Sequence, residues 1–389
     1  NLMRDFPSMP SHASGLGVAL VNRGLAAGQL GQFKATKPDL VEAGALFDRL
    51  LVDHPDVAHY HEQAARVAIH LAQHCVSRTH YGMPFDSEFA TQALATGQKS
   101  LDWLTARETN DWLELRALAA SMRGMIAELL DQPETAVESQ REAVLFYERL
   151  LVEEPGTVLV ALQVIDAKRR LVANLLRLGG HSEAEPILAS AMQAYDAVAD
   201  KLGELGGMEF LSREFLISLL EIATVKGRYL QVMQHIDAYL AFADEPADDW
   251  IGRDTMAKAA LRAARAASDA PTWRDRFVAR VRQILADTVS PSGAAADTSG
   301  LMVAVMRSNS LRTLVTLERE FGEAKDAAAI QREVVAGYRR SFDARSTARS
   351  RNRVLAAMEL MLELCDAAGD VDGATAWSEQ IEALPPRGK

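Results

Sequence analysis

Histidine is the residue type in this chain whose spacing most invites chemistry. Six of the nine histidines lie between positions 54 and 80: His54, His59, His61, His70, His74 and His80, with Cys75 among them. His70 and His74 stand four residues apart, a spacing that sets two imidazoles on one helix face where both can ligate a metal ion. His80 would arrive from the following turn, and Cys75 offers a thiolate. A zinc, copper or haem site on His70, His74, Cys75 and His80 is one reading. The other sets His70 beside a core stripe of Val67, Leu71 and Cys75 and leaves the remaining histidines as surface polar residues. A structural site also needs further ligands, and beyond Glu62 no acidic residue is well placed in this helix. No cofactor is therefore expected. His61 and Glu62 open a His-Glu-x-x-His pattern, but Ala65 stands where the second histidine belongs.

A second candidate is cationic. Between positions 339 and 353 the chain carries Arg339, Arg340, Arg345, Arg349, Arg351 and Arg353 against the single acid Asp343. Such a patch can dock an acidic protein or contact phosphates. It can also be a helix junction whose arginines pair with acidic neighbours. Residues 251–282 are basic as well, with eight Lys/Arg against three Asp/Glu. The whole chain, however, carries a formal net charge of −11, a field that repels nucleic acid and anionic lipid. Nucleic acid is thus not expected as a partner, although these two segments run against the general sign.

Catalytic signatures are missing. There is no His-Arg-Asp loop, Asp-Phe-Gly, Gly-rich phosphate loop, Walker loop, Gly-x-Ser-x-Gly elbow or complete His-Glu-x-x-His. Gly15-Leu16-Gly17 lacks both a third glycine and a preceding strand. The chain is expected not to be an enzyme.

The elements that position these residues are helices. Hydrophobic residues make up 48% of the 389 positions but aromatics only 6%. Ala and Leu abound, and they lose little entropy in a helix, whereas strands favour Val, Ile and aromatics. The two cysteines, Cys75 and Cys365, build neither a disulfide framework nor a cysteine-rich zinc module. They are compatible with a reducing compartment, and a cytoplasmic protein is expected. No apolar run approaches the ~20 residues that a membrane helix needs, so no membrane insertion is expected. The chain opens at Asn1 and not Met, as a processed or cut N-terminus would, and an upstream targeting signal would then be hidden.

Internal repetition organises the chain. Residues 46–55 (Leu-Phe-Asp-Arg-Leu-Leu-Val-Asp-His-Pro) nearly superimpose on residues 145–155, which end at Pro155, 100 positions after Pro55. Pro7 precedes Pro55 by 48. A unit of about 50 residues accounts for these spacings, longer than the ~34 of a standard tetratricopeptide unit. Two helices of about 20 residues and two short loops fill it. In residues 137–152 the apolar positions Val137, Val144, Leu145, Leu151 and Val152 form a helical stripe, not an alternation. Pro155-Gly156 stops that helix and Gly179-Gly180 stops the next.

Eight helix pairs follow: 12–30 with 38–53, 57–78 with 86–105, 110–130 with 133–153, 158–178 with 182–202, 208–227 with 229–243, 248–268 with 271–289, 301–321 with 323–342, and 346–368 with 371–384. The expected fold is an all-α solenoid of about eight antiparallel hairpins. Residues 290–300 are small, polar and nearly uncharged, and read as a linker or loop. They divide an array at 1–289 from repeats at 301–389, or form a long loop inside one continuous superhelix. The helical pattern that resumes at 301–317 favours the second.

Residues 145–155, followed by 171–185 with their Asn174-Leu175, Gly179-Gly180 and Glu183-Ala184, resemble tetratricopeptide repeats. Residues 16–28, with Asn22, and Phe321-Gly322-Glu323-Ala324 are weaker echoes. The helix that ends in Asp53-His54-Pro55-Asp56 is similar to degenerate repeats that follow bacterial serine/threonine kinase domains. The resemblance implies a protein- or peptide-binding scaffold, with a kinase domain in the same or another chain as one partner. It also implies that the first helix of each pair lines a concave groove. The polar first-helix residues Asn22, Arg66, Arg116, Arg123, Arg170 and Asn174 are then the partner-binding candidates. Arg170 and Asn174, four apart, share one face and look like a clamp for a carboxylate, or belong to an ordinary solvated face. Two alternatives stay open: the metal or cofactor protein outlined above, and a solenoid that assembles with itself.

Overall fold

The computed structural model describes residues 9–30, 32–80, 84–107, 112–202, 208–242, 250–289, 301–345 and 348–384. Among the described residues there are sixteen helices and no strand. The chain divides into two compact units, Asn1–Gly207 and Met208–Lys389. The first holds α1 (Pro10–Gln29), α2 (Phe33–Asp53), α3 (Ala58–His80), α4 (Ser87–Arg107), α5 (Leu113–Leu129), α6 (Pro133–Glu153), α7 (Val158–Arg177) and α8 (His181–Leu202). The second holds α9 (Met208–Val225), α10 (Tyr229–Phe242), α11 (Trp250–Ala266), α12 (Pro271–Val289), α13 (Leu301–Phe321), α14 (Ala324–Arg345), α15 (Ala348–Ala368) and α16 (Val371–Glu382). Within each unit, substantial packing is confined to helices one or two places apart in the chain. Each unit is thus a tetratricopeptide-like array of four hairpins.

The sharing of first helices is what makes these arrays cohere. In α3, Ala64, Val67 and Leu71 are buried with Leu20, Leu40 and Phe47 of the hairpin before it. The same helix gives Ala65, Ile69, Ala72 and Val76 to a second core with Leu94, Leu101 and Leu104 of α4 and Leu115, Met122 and Ile126 of α5. Helix α5 divides likewise, since Leu113, Ala117 and Ala120 join Phe146, Leu150, Val160 and Val164. A hairpin alone would leave one of these faces in water, and stacking buries it. Each buried Leu or Ile stabilises by about 1.5–3 kcal/mol, against about 0.2–1 kcal/mol for an exposed ion pair. Apolar burial therefore holds the stack, and polar contacts adjust its register. In the second unit Leu314 and Leu317 of α13 pack with Val281 and Leu285 of α12, while Leu311 and Val315 pack with Val334, Tyr338 and Met358. The helices on either side of 290–300 thus share one core, and residues 290–300 themselves lie outside the described residues.

Turn chemistry repeats with the hairpins. First helices end in a bond from the backbone N–H five residues on: Gln32 to Ala27, Gln132 to Ala127, Gly180 to Leu175, Arg228 to Ala223 and Asp370 to Cys365, all at 2.8–2.9 Å. This is the six-to-one bond of a Schellman cap. It needs a left-handed residue, supplied by Asp131, Gly179, Gly227 and Gly369. Second helices end differently: His54 N–H donates to Leu50 O and Glu154 N–H to Leu150 O, each at 2.8 Å, just before Pro55 and Pro155.

The element boundaries fall within a few residues of those expected, with one instructive exception. Helix α2 begins at Phe33, five residues before Pro38, which lies inside it. Its extra turn buries Phe33 against the ring of His74, 6.0 Å between centroids. That burial outweighs the single backbone bond Pro38 removes.

Replacing Gly227 tests the cap in isolation. Its φ is +64° and a Cβ there would meet nothing within 4 Å, so Gly227→Ala should cost about 1–2 kcal/mol through backbone conformation alone. Urea unfolding with an unchanged slope checks this, and no loss of stability would show that the turn relaxes.

Candidate functional site

Five of the six groove candidates fall into two groups, and Asn22 stands apart. Arg66 on α3 donates from Nε to Glu62 Oε1 and from Nη2 to Glu114 Oε2 on α5, each at 3.1 Å. Burial works against the Arg66 charge, yet Glu114 and Glu62 hold its guanidinium above the ordinary value. On α7, Asn174 Nδ2 donates to Glu128 Oε1 of α5 at 2.7 Å, and Arg170 Nη1 reaches Glu128 Oε2 at 3.5 Å. Arg170 Nε also donates to Asp166 Oδ2 at 2.9 Å. Arg177 closes the row on Asp131 at 2.6 Å. A polar ladder thus ties α3 to α5 and α5 to α7.

Arg170 and Asn174 share one carboxylate, and it comes from within the chain. Asn174 is 1% exposed, so Glu128 is its proper partner, not a surface accident. Asp166 sits in the same row. Burial alone would raise its carboxyl, but the charges of Arg170 and Arg169 outweigh that and hold it below the usual range. Arg116 and Arg123 turn instead toward second helices. Arg116 lies over the Phe146 ring of α6 at 4.0 Å, and Arg123 bonds Gln98 of α4 at 2.8 Å and pairs with Glu142 of α6. Asn22 is exposed on α1.

The histidines disperse. His70 Nδ1 meets Gln73 Oε1 at 3.2 Å. His74 is buried with Phe33, and burial followed by the charges of Arg78 and Lys37 lowers its pKa. Cys75 lies in the core, where burial pushes its thiol up. His61 stacks on Trp103 at 3.9 Å and bonds Pro55 O at 2.8 Å. The His80 side chain lies outside the described residues. Among the described residues no three His, Cys, Asp or Glu side chains are grouped to hold a metal. Nor, among them, is any helix long and apolar enough to cross a membrane.

The basic stretch also divides. Arg339 and Arg340 are exposed on α14, where Arg339 Nη1 meets Gln380 Oε1 of α16 at 3.2 Å. Arg353 of α15 lines a cleft toward α13, and Arg351 is half-buried on α15. The side chains of Arg345 and Arg349 lie outside the described residues.

The second unit contains what the sequence reading missed. Successive first helices α11 and α13 frame a cleft of about 380 Å³ lined by Lys258, Arg262 and Arg265 on one side and Asn309, Arg312 and Thr316 on the other. A neighbouring cleft of about 530 Å³, between α13 and α15, is lined by Arg312, Gln331, Asn352, Arg353 and Leu360. Three of the cations in the first cleft are neutralised. Lys258 Nζ meets Asp254 at 2.5 Å, Arg262 pairs with Glu221, and Arg265 Nε donates to Glu320 at 2.7 Å. Arg312 is exposed and forms no ion pair among the described residues. Tyr338 Oη donates to Asn309 Oδ1 at 2.7 Å, which leaves the Asn309 amide N–H groups as donors. The positions of Lys258, Arg262 and Arg265, four and three apart, were a visible signal. Arg312 joins them only through the packing of α13.

No protein-family model matches the chain, and no curated protein does. Solved structures similar to it include BtubC (BKLC) from P. vanneervenii, with 12% identity over 66% of this chain and 96% of that one and a TM-score of 0.42. The apo form of the quorum sensor NprR from B. thuringiensis is 12% identical over 99% of both chains, with a TM-score of 0.31. A circular tandem repeat protein with novel repeat topology is 14% identical over 96% of both, with a TM-score of 0.33. Likenesses at this level assign no function to this chain.

Two outcomes check this description. Asn174→Ala should leave the half-buried Glu128 carboxylate short of a donor and cost about 1–3 kcal/mol; a neutral result in thermal unfolding would mean that Glu128 turns to solvent. His74 has a folded pKa below its unfolded value near 6.5. The unfolded chain therefore binds the extra proton, and stability should fall as pH drops below about 6.5. His74→Gln should flatten that slope in denaturation series across pH, and an unchanged slope would assign it to other groups.

Proposed function

We propose that this chain is a non-catalytic interaction scaffold that holds a protein or peptide partner against the first helices of its hairpin arrays. The observation that carries this reading is the pair of solvent-open clefts between α11, α13 and α15, about 380 and 530 Å³, within the range of sites that hold ligands. Their walls are first helices buried on their other faces, so the clefts are preformed and cost little ordering on binding. Repetition of the hairpin gives an elongated partner successive seats, as stacked repeats do in general. In the first unit the corresponding row is occupied by the chain's own carboxylates, and the ladder there fixes register.

Selection of random displayed peptides on the full chain tests the reading. Enrichment of a consensus whose photo-cross-links fall on first helices is the expected result. Repeated selections without enrichment, or cross-links confined to second helices, would overturn it.

A further inference from the structure

Of the cations that line the first-helix face of the second unit, Arg312 is distinguished by position and by pairing. It lines both clefts. Lys258, Arg262 and Arg265 each hold a carboxylate from their own unit, and Arg312 holds none among the described residues. Across the cleft stand Arg262 and Arg265, which already hold Glu221 and Glu320, and beside it lies the Asn309 amide held by Tyr338. Beside these the clefts present apolar wall, Leu261 in one and Leu360 in the other. On the floor of the second, Gln331 donates from Nε2 to Ala357 O at 2.7 Å, while its Oε1 has no partner among the described residues.

From this geometry we infer that the clefts seat an extended peptide whose acidic side chain binds Arg312 and whose flanking apolar side chains enter the two clefts. The inference rests on the scaffold reading and gives it a ligand chemistry. A guanidinium matches a carboxylate with two parallel hydrogen bonds, and here that fork stands open between the clefts. Each cleft has room for one or two large side chains, and the spacing of alternate side chains on an extended chain, about 7 Å, suits a residue on either side of the anchor. A nucleic acid strand fits less well. It needs several free cations along its backbone and aromatic faces for its bases. Of the five cations that line the two clefts, Lys258, Arg262 and Arg265 are already neutralised, and Tyr338, the aromatic ring lining the second cleft, is 2% exposed. The net charge of −11 opposes a polyanion further. One acidic residue between apolar ones asks for only a single free cation.

Fluorescence anisotropy with labelled synthetic peptides tests this. The probes are a set with one central Glu flanked by Leu or Met at alternate positions, the same set with Lys in place of Glu, and an oligodeoxythymidylate. The proteins are the full chain, Arg312→Glu, Arg312→Lys and Arg332→Glu, the last an equal charge change at an exposed position of α14. The acidic set should bind the parent, and Arg312→Glu should weaken it about tenfold or more, ~1.4 kcal/mol. Arg312→Lys should lose less, and Arg332→Glu should change little. Melting temperatures should be unchanged, because the new carboxylate would sit among Lys258, Arg262 and Arg265. Equal loss from Arg312→Glu and Arg332→Glu would mean diffuse attraction and overturn the inference. So would equal binding of the Lys set, or oligodeoxythymidylate binding that depends on Arg312 while the acidic set does not bind. Displayed peptides that bind first helices but ignore Arg312→Glu would sink this inference and leave the scaffold reading standing. Failure of every library would sink both.

Discussion

A two-helix hairpin has more apolar surface than it can cover by itself, and the arrangement of each unit follows from that excess. The first helix of a pair is apolar on two faces, one for the previous hairpin, the other for its own partner and the next. Helices α3 and α5 show the division residue by residue, with Val67 and Ile69, or Ala117 and Ala119, committed to different cores. Because the burial of such side chains outweighs any polar contact on the surface, the order of helices in space copies their order in the chain. Close approaches are then obligatory. Gly17 lies where any added carbon would strike the Phe47 ring at 2.7 Å, and the small side chains along α5 serve the same need.

Once two faces of a first helix are committed, the remaining strip is what can carry polar chemistry. The two units use that strip in different ways. In the first, acids of α5 are matched by bases and amides of α3 and α7, with Glu128 and Glu114 as the central members. Charge is satisfied internally, and the ladder ties each hairpin to the next. In the second, acids neutralise Lys258, Arg262 and Arg265, while Arg312, between two clefts, has no ion pair among the described residues. The contrast is one of pairing and not of composition, since both strips are rich in arginine.

Much of the fold was legible because its punctuation is local. Pro55, Pro155, Gly179 and Gly180 mark helix ends through their own backbone restrictions, and the 3.6-residue stripe needs no tertiary knowledge. Pro38 misled for the complementary reason: a local breaker was overridden by the burial of Phe33, which depends on a helix forty residues away. The site was less legible. That Arg170 and Asn174 share a face follows from their spacing, but that Glu128 fills the clamp requires stacking two hairpins in register. Arg116 and Arg123 lie on a first helix as expected, yet the rotation of α5 about its axis directs them to α4 and α6, and no spacing rule gives that angle. The spacing of the histidines gave no hint of their neighbours, since His61 stacks on Trp103, His70 meets Gln73 and His74 packs on Phe33. Arg312 carried no signal at all, being defined by the partner it lacks.

The capping bonds have one more implication. Those ending α5, α7 and α9 arise at Ala127, Leu175 and Ala223, each 48 residues after the last. A stretch cut from one such bond to the next begins and ends at the same point of the hairpin. Its loss or duplication in the gene would keep every remaining side chain on the face it occupies now. Length in such a chain is a heritable variable that can change by whole hairpins while the joints stay the same.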